Sequence, residues 1–192
     1  LEMRAGLTDE YGRLRAGQFF RKGDDVVKLR VNAGDHLFVN RMTYNFRRPQ
    51  RGEIIVFETK GFDEAMRSRY LVPGDQFYIK RLVALGKEHV RIGSDHHLII
   101  NGICLDASTP GFANVYSFKP NAGENEYFGH TQLGMLHDDS QEYVVEPNHL
   151  MVMGDNTRNS LDSRYLGDFP RDCVIGKSWF VYWPITSRFG LG

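Results

Sequence analysis

Two groups of residues in this chain have the types and spacing to move protons. The first is Lys80 within FYIKRLVAL (77–85). Strand alternation puts Phe77, Ile79, Arg81 and Val83 on one face and Tyr78, Lys80, Leu82 and Ala84 on the other. Lys80 is then the only charge on an apolar face. A desolvated lysine favours its neutral form, and a neutral amine can take a proton from a hydroxyl, as a Ser–Lys dyad requires. The strand by itself fits better a lysine that snorkels past a sheet edge. The second group is GDNTRNSLDSRYLG (154–167). Gly154-Asp155-Asn156 is turn chemistry, with glycine relaxing the backbone and two polar side chains able to bond nearby amides. Ser160, Asp162 and Arg164 alternate, so an extended backbone would line up a hydroxyl, a carboxylate and a guanidinium. Asp162 could accept a bidentate bond from an arginine. Alone, the run fits a polar network or a structural turn stapled by an ion pair.

Strands must position these groups. HLFVN (36–40) alternates, EIIVFET (53–59) is a short apolar run, and RRPQRG (47–52) and LVPGDQ (71–76) are turns by their Pro and Gly. HVRIG and HLIING follow, and Asn101-Gly102 between HLII and ICL signals a type I′ hairpin. QEYVVEPNHLMVMGDN and VIGKSWFVYWPI return to strand pattern, and GFDEAMRSRYL (61–71) is the best short helix candidate. Residues 106–146 are rich in Gly, Asn and aromatics without a clean period, and read as an inserted β/loop region. Residues 1–33 read as polar turns with one short strand over 25–31. The expected fold is mostly β: folded-over antiparallel sheets with few short helices.

Three separated blocks resemble those of the type I signal peptidases. GDHLFVNRMTY with RPQRGEIIVF (34–57) resembles the block that runs from Gly-Asp to an Arg-Gly-Asp/Glu strand. YIKRLVAL (78–85) resembles the lysine block, and GDNTRNSLDSRYLG resembles the Gly-Asp-Asn…Ser-x-Asp-Ser-Arg signature. Order and spacing agree. With the hairpin HLIINGICL, they cover about half of the chain.

The resemblance implies that Lys80 is the general base and that Ser160 orients its amine. It implies that Asp162 and Arg164 hold the shape of the site, with Arg81, Asp155 and Asn156 supporting it. Phe77, Tyr78 and Ile79 would edge the groove that takes the substrate as an added β-strand. The substrates implied are signal peptides of secreted preproteins, of Ala-x-Ala type, cut through an acyl-enzyme with no metal or organic cofactor. The place implied is the extracytoplasmic face of a bacterial cell membrane, reached through an anchor upstream of this chain. In that frame 34–105 and 147–192 form the catalytic core, 106–146 is inserted into it, and 1–33 is part of a family-atypical insertion ahead of it.

One element of the family pattern is missing. Its nucleophile lies in a Ser-Met-x-Pro-Thr block a few residues before the Gly-Asp that matches Gly34-Asp35. Here those residues are DDVVKLRVNA (24–33), without Ser, Met or Pro, and the pattern occurs nowhere else. The favoured expectation is a serine upstream of Leu1, separated from Gly34 by an insertion, because Lys80, Ser160, Asp162 and Arg164 are all present. The fragment alone is then expected to be inactive. The alternative is a non-catalytic scaffold or peptide-binding module. Self-cleaving repressors share the Ser–Lys logic but lack the 154–167 signature.

Bulk composition excludes little. Of 192 residues, 41% are hydrophobic and 25% charged, and Lys+Arg and Asp+Glu are both 24, so no basic footprint points to nucleic acid. No run approaches the roughly 18 apolar residues of a membrane span. Cys104 and Cys173 are either a pair in an oxidising compartment or two half-buried thiols. The seven histidines show no zinc-site spacing, so scattered surface histidines are expected and no metal. Trp179, Phe180, Tyr182 and Trp183 are either core or a membrane-facing rim.

Overall fold

Short apolar and β-branched runs separated by Gly, Pro and Asn turns pair in this chain as antiparallel strands. The computed structural model describes residues 2–3, 29–30, 36–118, 127–183, 185 and 189–191. In chain order its elements are β1 (Glu2–Met3), β2 (Leu29–Arg30), β3 (His36–Asn40), α1 (Thr43–Phe46), β4 (Ile54–Glu58), α2 (Glu64–Arg69) and β5 (Phe77–Leu85). There follow β6 (His89–Ile92), β7 (Leu98–Ile100), β8 (Ile103–Cys104), β9 (Tyr143–Val144) and β10 (His149–Met153). The last are α3 (Ser163–Leu166), β11 (Phe169–Pro170), β12 (Val174–Trp183) and β13 (Gly190–Leu191). The fold is therefore mostly antiparallel β with few short helices. Of the strand expected over 25–31, Leu29–Arg30 pairs with Glu2–Met3, and the rest lies outside the described residues. No helix among the described residues is long and apolar enough to cross a membrane.

The larger sheet runs β11-β10-β5-β4-β12-β13, with β3 on β12, and the smaller runs β8-β7-β6-β9. Two cores result. Ile55 and Phe57 of β4, Leu82 of β5, Leu150 and Val152 of β10, and Phe169 fill the first. Val83 and Ala84 of β5 and Met151 and Met153 of β10 reach into the second, where they meet Val90, Ile92, Leu98 and Ile100 of the small sheet. Phe112, Val115, Tyr116, Leu136 and Val145, all within 106–146, complete that second core.

The hairpin at Asn101-Gly102 forms as its sequence predicts, with φ of 50° and 80° at the two turn residues. The short helix candidate also forms. The Asp63 carboxylate accepts the Met66 N–H at 3.0 Å as its N-cap, and Arg67 and Arg69 occupy its last turn.

Simple alternation fails in two places. On β5 the register against β10 slips between Ala84–Met151 and Leu82–Val152, leaving Val83 as the extra residue of a bulge. Ala84 thereby joins Val83 in the second core instead of sharing the Lys80 and Leu82 face. Ser160, Asp162 and Arg164 do not lie on one extended segment either: Asp162 caps α3 and Arg164 is inside it. A carboxylate bonding the N–H two residues on favours the start of a helix over continued strand.

The cysteines do not pair: Cys104 is exposed on β8 and Cys173 is buried in the first core. At the end of the larger sheet Trp179, Tyr182 and Trp183 are exposed, together with Phe38, Ile185 and Phe189, while Phe180 is half-buried against Phe189.

Candidate active site

β5 carries Lys80 where the strand passes from open edge to sheet interior. Phe77–Arg81 pair with β4, but β10 covers only Arg81–Leu85. Among the described residues, no strand pairs with the second edge of Phe77–Lys80. Phe77 and Ile79 are exposed, and Tyr78 packs inward against Phe57. A strand with one unpaired edge is a template for another extended chain.

Lys80 is half-buried, and its Nζ donates to Ser160 Oγ at 2.9 Å. Burial lowers the amine's pKa below the ordinary lysine value. The Arg164 guanidinium pushes the same way, while Asp162 and Asp155 oppose it. Ser160 lies close enough to Asp162 to help lower the pKa of its carboxyl. As the acceptor, the Ser160 oxygen turns a lone pair to the amine. Gly154 makes that placement possible. A Cβ there would land on the Ser160 hydroxyl and lie 3.5 Å from Lys80 Nζ. The glycine is needed for room, since the positive-φ glycines do not include it.

Asp162 and Arg164 form a buried ion pair, 1% and 0% exposed. Arg164 Nε and Nη2 donate to the two Asp162 oxygens at 2.9 and 2.7 Å. The Gly154 N–H adds 2.9 Å and the Arg164 N–H 3.2 Å. Desolvation raises the Asp162 pKa, but the Arg164 bonds and charge and the Gly154 N–H outweigh it, and the net shift is downward. The third guanidinium nitrogen, Nη1, donates to Thr131 O at 3.0 Å and Thr157 Oγ1 at 2.9 Å. Every Arg164 nitrogen is thus partnered, as a buried charge demands.

Arg81 and Asp155 form the second pair. Nε and Nη2 reach the two Asp155 oxygens at 2.8 and 2.6 Å, and Nη1 donates to Gly52 O at 2.7 Å. That fork ties the end of the 47–52 turn and β5 to the start of the 154–167 run. Asn156, expected to support the site, is exposed instead. Its backbone oxygen accepts the Asn159 N–H, and Thr157 beside it is the buried residue of the turn.

Sequence reasoning missed Thr157, Thr131 and His130. The Thr157 hydroxyl takes the Thr131 N–H at 2.6 Å as well as Arg164, joining 127–137 to the site. His130 is fully buried, its Nδ1 3.1 Å from the Tyr116 hydroxyl and its Nε2 without a partner. Only the Thr157 hydroxyl, inside the 154–167 run, offered any signal. The other two come from a segment without periodicity.

The result is an amine, neutral at lower pH than an ordinary lysine's, held against a hydroxyl beside a strand edge that no strand among the described residues pairs. Such an amine can serve as a base for a nucleophile brought within its reach.

A family model described as signal peptidase, peptidase S26, matches residues 21–183. A signal peptidase I of Pseudomonas fluorescens is 31% identical over 189 residues, covering 82% of this chain and 62% of that protein. A probable signal peptidase I-2 of Synechocystis is 28% identical over 163 residues, covering 85% and 60%. The chain therefore spans about three fifths of the length of these relatives. A solved signal peptidase I from Enterococcus faecalis V583 is 30% identical and covers 68% of this chain and 97% of that one, with a TM-score of 0.47. On the extent of the family match, this chain belongs to the signal peptidases of peptidase family S26.

Proposed function

We propose that the protein is a signal peptidase I, a serine endopeptidase that removes signal peptides from exported preproteins with Lys80 as its base. The observation that carries this reading is the Lys80 amine, its pKa lowered by burial, held 2.9 Å from Ser160 Oγ beside the open Phe77–Lys80 edge. The preprotein adds as a strand along Phe77, Tyr78 and Ile79, with small Ala-x-Ala residues in shallow pockets. A serine hydroxyl attacks the scissile carbonyl as Lys80 takes its proton. The tetrahedral adduct collapses to an ester, and Lys80 returns the proton to the departing amine of the mature chain. Water, deprotonated by Lys80, then hydrolyses the ester. Ser160 positions the amine, Asp162–Arg164 positions Ser160, and Arg81–Asp155 pins the loop.

The 192 residues hold no Ser-Met-x-Pro block, so the reading needs a nucleophilic serine from outside them. The exposed Trp179, Tyr182 and Trp183 suit contact with an extracytoplasmic membrane face. The missing block also favours a second reading, a scaffold that binds extended peptides without cutting them.

Incubating the full-length protein with a preprotein bearing an Ala-x-Ala site tests the two. Cleavage after the second alanine, lost in Lys80→Ala, is expected, and residues 1–192 alone are expected to leave the substrate intact. Binding without cleavage, unchanged by Lys80→Ala, would establish the scaffold. Cleavage by 1–192 alone would place the nucleophile within these residues.

A further inference from the structure

Among the described residues, one grouping of imidazole, thiol and carboxylate is close enough to share an ion. One ligand atom each from Asp95, His97 and Cys104 lies within 4.8 Å of the other two. We propose that Asp95, His97 and Cys104 form a Zn2+-binding site on the small sheet, with solvent as the fourth ligand. The site lies off β5 and takes no residue from the Lys80 network, so its test is independent of the proteolytic reading.

Hairpin geometry brings the three together. Asp95 sits in the turn between β6 and β7, where its Oδ1 accepts the His97 N–H at 3.1 Å. That bond fixes the carboxylate and leaves Oδ2 facing the ring, 3.2 Å from His97 Nδ1. Two ligands about 2.0–2.1 Å from a tetrahedral centre lie about 3.3 Å apart, so this separation already matches. Nδ1 is buried, and with the ring proton on Nε2 it offers a lone pair to a metal ion. The ring is held by stacking on Tyr116, with centroids 4.7 Å apart and planes at 19°, and by Phe118 at 5.2 Å. Cys104 pairs across the hairpin with Ile99, two residues beyond His97, and so reaches it on the diagonal.

The charges favour a cation. The carboxylates of Asp95 and Asp106 put negative charge around the Cys104 thiol. A divalent ion reverses that field. Coordination forms a Zn–S bond, releases the thiol proton to solvent, and leaves Zn2+, one thiolate and one carboxylate neutral in sum. Thiolate and imidazole together select zinc over magnesium or calcium, which prefer oxygen ligands alone.

The test titrates the full-length protein with Co2+ as a spectroscopic stand-in, and with Zn2+ by calorimetry. One equivalent bound, a thiolate-to-cobalt charge-transfer band, and proton release on binding are expected. Cys104→Ser should abolish the band. Asp95→Asn, which keeps the acceptor for the His97 N–H, should weaken Zn2+ binding by at least about tenfold. Zn2+ should also protect Cys104 from alkylation, with Cys173 already shielded by burial. A missing charge-transfer band, or Zn2+ binding unchanged in both variants, would overturn the proposal.

Discussion

Lys80 Nζ and Ser160 Oγ, 80 residues apart in the chain, meet at 2.9 Å and join strand β5 to the segment before α3. Catalysis by Lys80 needs its neutral form, and burial lowers its pKa from the ordinary 10.5. Cleavage should therefore rise with pH through a pKa below that value and level off above it. Lys80→Ala should lose general-base catalysis, about a hundredfold or more in kcat. Steady-state kinetics across pH on the full-length protein would show both effects.

Gly154→Ala should lower kcat much as Ser160→Ala does, because the new Cβ displaces the Ser160 hydroxyl from Lys80. Losing a hydrogen bond between a neutral amine and a hydroxyl, worth about 0.5–1.5 kcal/mol, corresponds to roughly two- to tenfold. The two changes remove one interaction, so the double variant should fall well short of the product of the single effects. A kinetic double-mutant cycle reads the coupling directly.

The Asp162–Arg164 pair is fully buried, so removing one partner strands the other charge. Arg164→Met should destabilise the fold by about 3–5 kcal/mol, and Asp162→Leu/Arg164→Met together by less than that single change. Asp162 has a lowered folded pKa, so its contribution is present above its unfolded pKa and is lost as pH falls through the folded one. Urea denaturation of the variants, and of the unaltered chain at falling pH, measures these differences.

Desolvation first, and then the Arg164 charge, lower the pKa of His130 from 6.5 to about 3. Between those two values the unfolded chain holds a proton that the folded one does not, so stability should fall as pH drops through this window. His130→Gln should flatten that part of the profile, whatever it does to absolute stability. Chemical denaturation between pH 7 and pH 4 decides the point, and an unchanged slope would count against a neutral buried imidazole.

The sequence by itself determined the main strands of the core, the Asn101-Gly102 hairpin and the short helix within 61–71, because each follows from local periodicity or turn chemistry. Through the resemblance of separated blocks it also pointed to Lys80, Arg81 and Asp155. Only the tertiary structure decided which face Ala84 takes, since a bulge depends on how β5 registers against β10. The same holds for the role of Gly154, a matter of distance to a side chain six residues on, and for the exchange of Asn156 for Thr157 in the buried network. Thr131 and His130 were illegible because 106–146 lacks a period, and its residues are placed by packing against β10 and the small sheet. The Asp95, His97 and Cys104 grouping matches no familiar ligand spacing, because hairpin pairing and not sequence interval brings the thiol to the imidazole.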